Sequence, residues 1–79
     1  MAVTNYSYDW ASVEGVWASG ASGGGWVFLD INGDVSWYPI DATANLDGIL
    51  AIASSINASS NTWAMVDILN GKLRQIGQY

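Results

Sequence analysis

The clearest pattern of apolar and polar positions in the chain is that of a β-hairpin. An apolar run from Trp63 to Ile68 is followed by Asn70-Gly71 and by a second run from Lys72 to Ile76. Asn-Gly between two apolar runs is a strong hairpin signal, because both residues tolerate the positive φ angles that a tight turn requires. This stretch therefore predicts two strands joined by a turn.

The same pattern occurs earlier in the chain. Residues 26–35, WVFLDINGDV, correspond to residues 63–73, WAMVDILNGKL, with one extra residue, Leu69, before the second turn. The correspondence extends upstream, where residues 13–18 match residues 46–51 in their order of apolar, acidic, Gly, apolar, apolar and Ala. We interpret the chain as two copies of one unit.

Period-two alternation predicts a further strand in the first copy. Residues 3–13 alternate, with Tyr6, Tyr8 and Trp10 on one side, as in a half-buried strand. The Gly-rich segment 19–25 then predicts a hairpin loop. After the first turn, the run up to Ile40 completes the hairpin, and its proline indicates a strand end or a sheet edge.

Residues 41–58 fit two different patterns. Apolar residues recur at spacings of three and four, at Leu46, Ile49, Ile52 and Ile56. That spacing favours a helix over 42–57. However, Gly48 would lie inside the helix, and consistency with the first copy favours a strand at 48–53 and a polar loop at 54–62. We expect the strand, with the helix as the alternative.

The second copy resembles a β-propeller blade. It has an Asp-Gly turn, an apolar strand ending in Ala-Ile, a variable loop, a strand ending in Asp-Ile, an Asn-Gly turn and a strand ending in Ile-Gly. Propeller blades are four-stranded sheets, and four to eight of them close a ring. Two units cannot close a ring alone, but several chains could.

The chain is thus similar to two-bladed bacterial lectins that trimerise into six blades, and to Trp-rich blades of the tachylectin type. This resemblance implies an all-β domain spanning 1–79, with blades at about 5–40 and 41–79, that assembles into a homo-oligomer, a trimer being favoured. The alternative is a small α+β fold.

Fucose-binding lectins of this kind present an Arg and a Glu with a Trp in each site. Here Arg74 has no counterpart in the first copy, so no binding residue is transferred from them.

Composition restricts the chemistry. The chain has no Cys and no His, which removes disulfides, thiolate metal sites and the commonest general base. We therefore expect no metal, no cofactor and no enzymatic activity. A chain of 79 residues buries only about 60% of its unfolded surface, so self-association would add burial.

The net charge of −5, with Lys72 and Arg74 as the only basic residues, argues against nucleic acid and against an anionic membrane surface. No run is apolar and long enough to span a bilayer. The first ten residues lack the basic start and apolar core of a signal peptide. These features leave the location open between the cytosol, a virion and secretion by a signal-independent route.

Five Trp and four Tyr with many Asn, Asp and Ser favour a carbohydrate-binding protein, in which aromatic rings stack on sugars and polar groups bind hydroxyls. The candidate ligand-binding residues are Trp17, Trp26, Trp37, Trp63, Asp30 and Asp67. Alternatively, the matched Trp26 and Trp63 belong to the core, while the unmatched Trp residues lie on the surface or in subunit contacts. A second hypothesis is a non-catalytic assembly protein, such as a small virion or appendage component, whose exposed aromatics bury against neighbouring subunits.

Overall fold

A computed structural model describes residues 2–20 and 24–78 of the chain. They form five strands and one helix, in the order β1 (Tyr6–Ala18), β2 (Gly25–Ile31), β3 (Asp34–Pro39), α1 (Leu46–Ala58), β4 (Trp63–Leu69) and β5 (Lys72–Gly77). The predicted loop at 19–25 falls partly on residues 21–23, which lie outside the described part; on either side of it, β1 and β2 pair with Ala18 opposite Gly25.

The two predicted hairpins are confirmed. Asn32 and Gly33 have φ angles of 53° and 87°, and Asn70 and Gly71 have φ angles of 54° and 75°. Two central residues with positive φ define the type I′ turn, whose twist matches that of the flanking strands. The strand order is β3-β2-β1-β4-β5 with antiparallel neighbours, so the two hairpins flank the long strand β1.

The sheet curls until its two edges meet. Beyond β3, Ile40 forms a parallel bridge with Leu73 of β5. The backbone N–H of Asp41 donates to the Leu73 carbonyl over 2.9 Å, and that of Ile40 donates to the Gly25 carbonyl over 3.0 Å. The result is a partly open five-stranded barrel with a helix between its third and fourth strands. This connectivity corresponds to the OB-fold, a partly open Greek-key barrel.

The core lies between the concave side of the sheet and α1. Successive side chains of a strand point to opposite faces, and in β2 the inward residues Val27, Leu29 and Ile31 are buried. The helix contributes Ile49, Ala53 and Ile56. Tyr38 is also buried, and its hydroxyl accepts a hydrogen bond from the backbone N–H of Val3 over 2.9 Å.

Residues 46–58 form a helix, so the predicted strand at 48–53 is wrong and the alternative of a helix is confirmed. Of the predicted loop at 54–62, residues 59–62 are a loop and the rest is helical. Asn45 is the N-cap, and its side-chain oxygen accepts a hydrogen bond from the Gly48 N–H over 3.1 Å. Gly48 therefore lies in the first turn, where an added Cβ would be 2.5 Å from the Asn45 Nδ2 atom. Its presence serves the cap and does not interrupt the helix.

The expectation of a mostly β chain is met, but the two copies do not form two separate sheets. The first copy supplies β1, β2 and β3 and the second supplies β4 and β5, all within one sheet. The predicted common side for Tyr6, Tyr8 and Trp10 is also wrong. A bulge between Tyr6 and Asp9 places Tyr6 against the core while Trp10 is exposed.

Candidate ligand-binding face

All five tryptophans lie on the outward face, which we define as the side of the sheet opposite the core. They are Trp10, Trp17, Trp26, Trp37 and Trp63, each between 40% and 54% exposed. Strand alternation explains this placement, because residues 26, 28 and 30 of β2 point outward when their neighbours point into the core. The exposure of Trp26 and Trp63 contradicts the alternative that these two residues belong to the core.

Three of the predicted site residues come together in one cleft. Trp17, Trp26 and Trp37 line a cavity of about 400 Å³ that opens onto the outward face. Trp17 lies directly opposite Trp26 in the β1–β2 ladder. On the other side, Trp37 stacks on Phe28, with ring centroids 4.8 Å apart and an angle of 24° between the ring planes. We call this cavity the tryptophan cleft.

Gly15 leaves room for the rings of the tryptophan cleft. It lies opposite Phe28 in the β1–β2 ladder. A Cβ atom on Gly15 would lie 3.3 Å from the Phe28 Cβ atom and 3.5 Å from the Trp37 Cη2 atom. The missing side chain therefore lets the Trp37 ring extend from β3 across β2 towards β1.

A polar cluster lies on the outward face around Ser12 of β1, four residues along the ladder from the Trp17–Trp26 pair. The Ser12 hydroxyl donates to the Glu14 carboxylate over 2.8 Å and lies 2.7 Å from the Thr62 hydroxyl oxygen. Across the ladder, Ser12 is opposite Asp30, whose carboxylate accepts a hydrogen bond from the Gly33 N–H over 2.9 Å. Sequence reasoning found Asp30 but missed Ser12, Glu14 and Thr62. The signal for Glu14 was the Glu-Gly pair that interrupts the alternation, since Glu14 occupies a β-bulge.

The other two predicted site residues lie on β4, across β1 from the tryptophan cleft. Trp63 is opposite Ser12, and Met65 is opposite Trp10. Asp67 is opposite Gln75 of β5. The six predicted residues thus share one face, but they divide into a group around the cleft and a group on β4.

The two basic residues flank Leu73 of β5, which the parallel bridge brings next to Ile40, just after β3. Arg74 forms a bulge in β5, and its Nε atom lies 3.9 Å from the Asp41 Oδ2 atom. The pKa of Asp41 is lowered, first by hydrogen bonds from the Thr43 backbone and hydroxyl and then by the charges of Arg74 and Lys72. At the start of the central strand β1, partial burial and the charge of Asp9 raise the pKa of Tyr6.

Within residues 2–20 and 24–78, no group of three or more acidic side chains is placed to hold a metal ion. Over the same ranges, no helix has the length and apolarity needed to cross a membrane. No protein-family model, curated protein or solved structure matches the chain. The function must accordingly be argued from the outward face itself, since a fold alone does not define a function.

Proposed function

We propose that the protein is a carbohydrate-binding module whose tryptophan cleft holds a sugar. The observation that carries this proposal is the convergence of Trp17, Trp26 and Trp37, from three different strands, into one outward cavity of about 400 Å³. Ligand pockets are typically clefts of about 300–1,000 Å³, lined by aromatic and apolar side chains with a few placed polar groups. The cleft has this size, and its lining is aromatic, formed by the three indole rings.

The surroundings of the cleft favour a sugar over a nucleic acid. Indole rings can stack on the apolar face of a pyranose, and the carboxylates of Glu14 and Asp30 can accept hydrogen bonds from sugar hydroxyls. Aromatic platforms also stack nucleobases, but such sites need basic residues that follow the phosphate backbone. Lys72 and Arg74 are the only basic residues, against seven acidic ones, and Arg74 lies beside the Asp41 carboxylate, 3.9 Å away. An uncharged glycan is therefore the better ligand.

All residues of the proposed site come from one chain. The predicted closure of several chains into a ring, with a trimer favoured, stays a prediction that the binding proposal does not require. Light scattering or native mass spectrometry on the purified chain measures it directly.

The proposal is tested by titrating the chain with a panel of neutral mono- and oligosaccharides, using calorimetry and tryptophan fluorescence. We expect Trp26→Ala to weaken binding by about tenfold or more, equivalent to about 1.4 kcal/mol, and Trp26→Phe to restore part of the affinity. Ile52→Ala is the matched control, because Ile52 is an exposed apolar side chain on α1. Loss of binding in this control, or no binding of any neutral glycan by the wild-type chain, would contradict the proposal.

A second candidate function is assembly with further copies or with another structural protein. It is favoured by the extent of the aromatic surface, because apolar patches of this kind often mark protein interfaces. If the cleft is a subunit contact, Trp26→Ala will reduce the particle mass in solution and sugars will have no effect on it. If the cleft binds sugar, the wild-type chain and Trp26→Ala will have the same particle mass.

A further inference from the structure

The sequence repeat has a direct geometric consequence on the outward face. Its Trp-x-x-x-Asp motif forms two columns of outward residues, Trp26, Phe28 and Asp30 on β2 and Trp63, Met65 and Asp67 on β4. Both strands are antiparallel to β1, so they run parallel to each other. The two columns consequently present the same groups in the same direction.

The columns are also staggered so that one begins where the other ends. Ser12 of β1 is opposite Asp30 on one side and opposite Trp63 on the other. Neighbouring strands are about 4.8 Å apart, which places the backbone of Trp63 about 10 Å from that of Asp30, with Ser12 between them. The order Trp, apolar, carboxylate therefore repeats once along a diagonal from β2 to β4.

The second column has an aromatic neighbour, as the first does. Trp17 lies opposite Trp26 in the β1–β2 ladder, and Trp10 lies opposite Met65 in the β1–β4 ladder, two residues from Trp63 on β4. Trp10 and Trp63 are 44% and 54% exposed. Stacking surface and a carboxylate are thus present at both columns, and the tryptophan cleft lies at the first.

We propose that Trp63, Trp10 and Asp67 form a second subsite, and that the two subsites together bind one linear, uncharged oligosaccharide. This inference rests on the proposed function. A ligand made of repeating units presents the same groups at regular intervals, which matches a repeated motif of constant direction. Asp30 and Asp67 in the two columns, with Glu14 on β1 between them, repel anionic polymers, so uronic-acid-containing or sulfated glycans would bind poorly.

The test is a series of linear glucose and N-acetylglucosamine oligomers, from disaccharide to hexasaccharide, titrated by calorimetry. We expect one hexasaccharide to bind per chain, with an affinity that rises about tenfold or more along the series, as the second subsite adds to the first. Trp63→Ala should remove the gain with length, so that the hexasaccharide binds no more tightly than the disaccharide. Trp26→Ala should weaken the binding of every length, and Ile52→Ala should change none.

The outcomes separate the two proposals. If no oligomer of any length binds, the proposed function fails and the second subsite fails with it. If disaccharide and hexasaccharide bind equally and Trp63→Ala has no effect, only the second subsite is overturned. A stoichiometry of two for the hexasaccharide would replace one extended ligand by two independent sites and would overturn the inference. A lower particle mass for Trp63→Ala would make Trp63 a subunit contact, which also overturns the inference.

Discussion

The two faces of the sheet use hydrophobic residues in opposite ways. On β2, the inward side chains are Val27, Leu29 and Ile31, all buried, whereas Trp26 on the outward side remains 40% exposed. The same alternation holds on β4, where Val66 is buried and Trp63 is 54% exposed. Apart from Tyr38, the core is thus built from aliphatic side chains, and all five tryptophans face away from it.

This difference indicates what each face is for. Burying a Val, Leu or Ile side chain contributes about 1.5–3 kcal/mol, so the inward face and α1 supply the stability of the fold. The outward tryptophans stay partly in water, and a continuous exposed aromatic surface favours aggregation unless it has a ligand or a partner. Stability and recognition are therefore expected to separate by face, and substitutions can test that separation.

The largest expected effect is on the inward face. Leu29→Ala removes a fully buried side chain and should lower the free energy of unfolding by about 2–5 kcal/mol, through lost burial and the cavity left behind. Trp26→Ala, three residues earlier on β2 and on the outward face, should lower the free energy of unfolding by less than about 1 kcal/mol. Urea denaturation followed by far-ultraviolet circular dichroism measures both. Equal losses for the two variants would show that the outward tryptophans are part of the structural core.

A smaller effect is expected from a pair of glycines, one on each face. A Cβ on Gly25 would lie 2.9 Å from the Leu50 Cδ2 atom and 3.2 Å from the Ile40 Cδ1 atom. Gly25→Ala should therefore cost about 1 kcal/mol, since overpacking of about 1–3 kcal/mol is partly offset by the reduced entropy of the unfolded chain. It should leave sugar affinity unchanged.

Gly15→Ala is the outward counterpart. Its Cβ would lie 3.3 Å from the Phe28 Cβ atom, closer than usual, and in ordinary contact with the Trp37 ring. A shift of Phe28, on which Trp37 stacks, should displace the cleft and weaken sugar binding with little change in stability. Thermal unfolding and calorimetric titration of both variants check the contrast. If Gly15→Ala keeps full affinity, or if Gly25→Ala loses it, the separation by face is wrong.

The hairpins could be predicted from the sequence because their signals are local. Asn-Gly turns and alternating runs set strand and turn over a few residues, without information from the rest of the fold. The edge position of Pro39 was predictable for the same reason, because it lacks the N–H that a central strand would need.

The helix was predicted only as an alternative because the repeat outweighed the spacing of its apolar residues. The similarity of residues 13–18 and 46–51 suggested that both segments form the same structure. In the first copy, however, residues 13–18 pair with β2. In the second copy, residues 46–51 belong to the helix, which packs on the core. The cap by Asn45 made the glycine compatible with the helix. Local similarity was overridden by tertiary context.

The candidate site was predicted by residue type but not by arrangement. Exposed tryptophans and repeated aspartates were identifiable, yet the grouping of Trp17, Trp26 and Trp37 depends on the β1–β2–β3 register and on the bulge at Glu14. Register joins residues from separate parts of the chain, and a one-residue shift would move every side chain to the other face. No local pattern contains that information.

The smallest expected effect concerns the seam where the two edges of the sheet meet, which belongs to neither face. The Asp41 Oδ1 atom accepts hydrogen bonds from the Thr43 N–H over 2.8 Å and from the Thr43 hydroxyl over 2.7 Å. These bonds, with Arg74 and Lys72, lower the pKa of Asp41 in the folded state. The ionised group therefore stabilises the fold at pH values above the ordinary Asp pKa of about 3.9, and this contribution is lost as the pH falls through the lowered value.

Asp41→Asn should consequently be less stable than the wild-type chain at pH 7, and the difference should shrink at lower pH. Thr43→Val, which removes the hydroxyl donor and keeps the backbone N–H, should show a smaller difference of the same sign. The midpoints of urea denaturation, measured from pH 7 down to below the ordinary Asp pKa, check both variants. A constant difference at every pH would mean that the charge of Asp41 does not stabilise the seam, and the closure of the sheet would then depend on the backbone hydrogen bonds and on Ile40 and Leu73 alone.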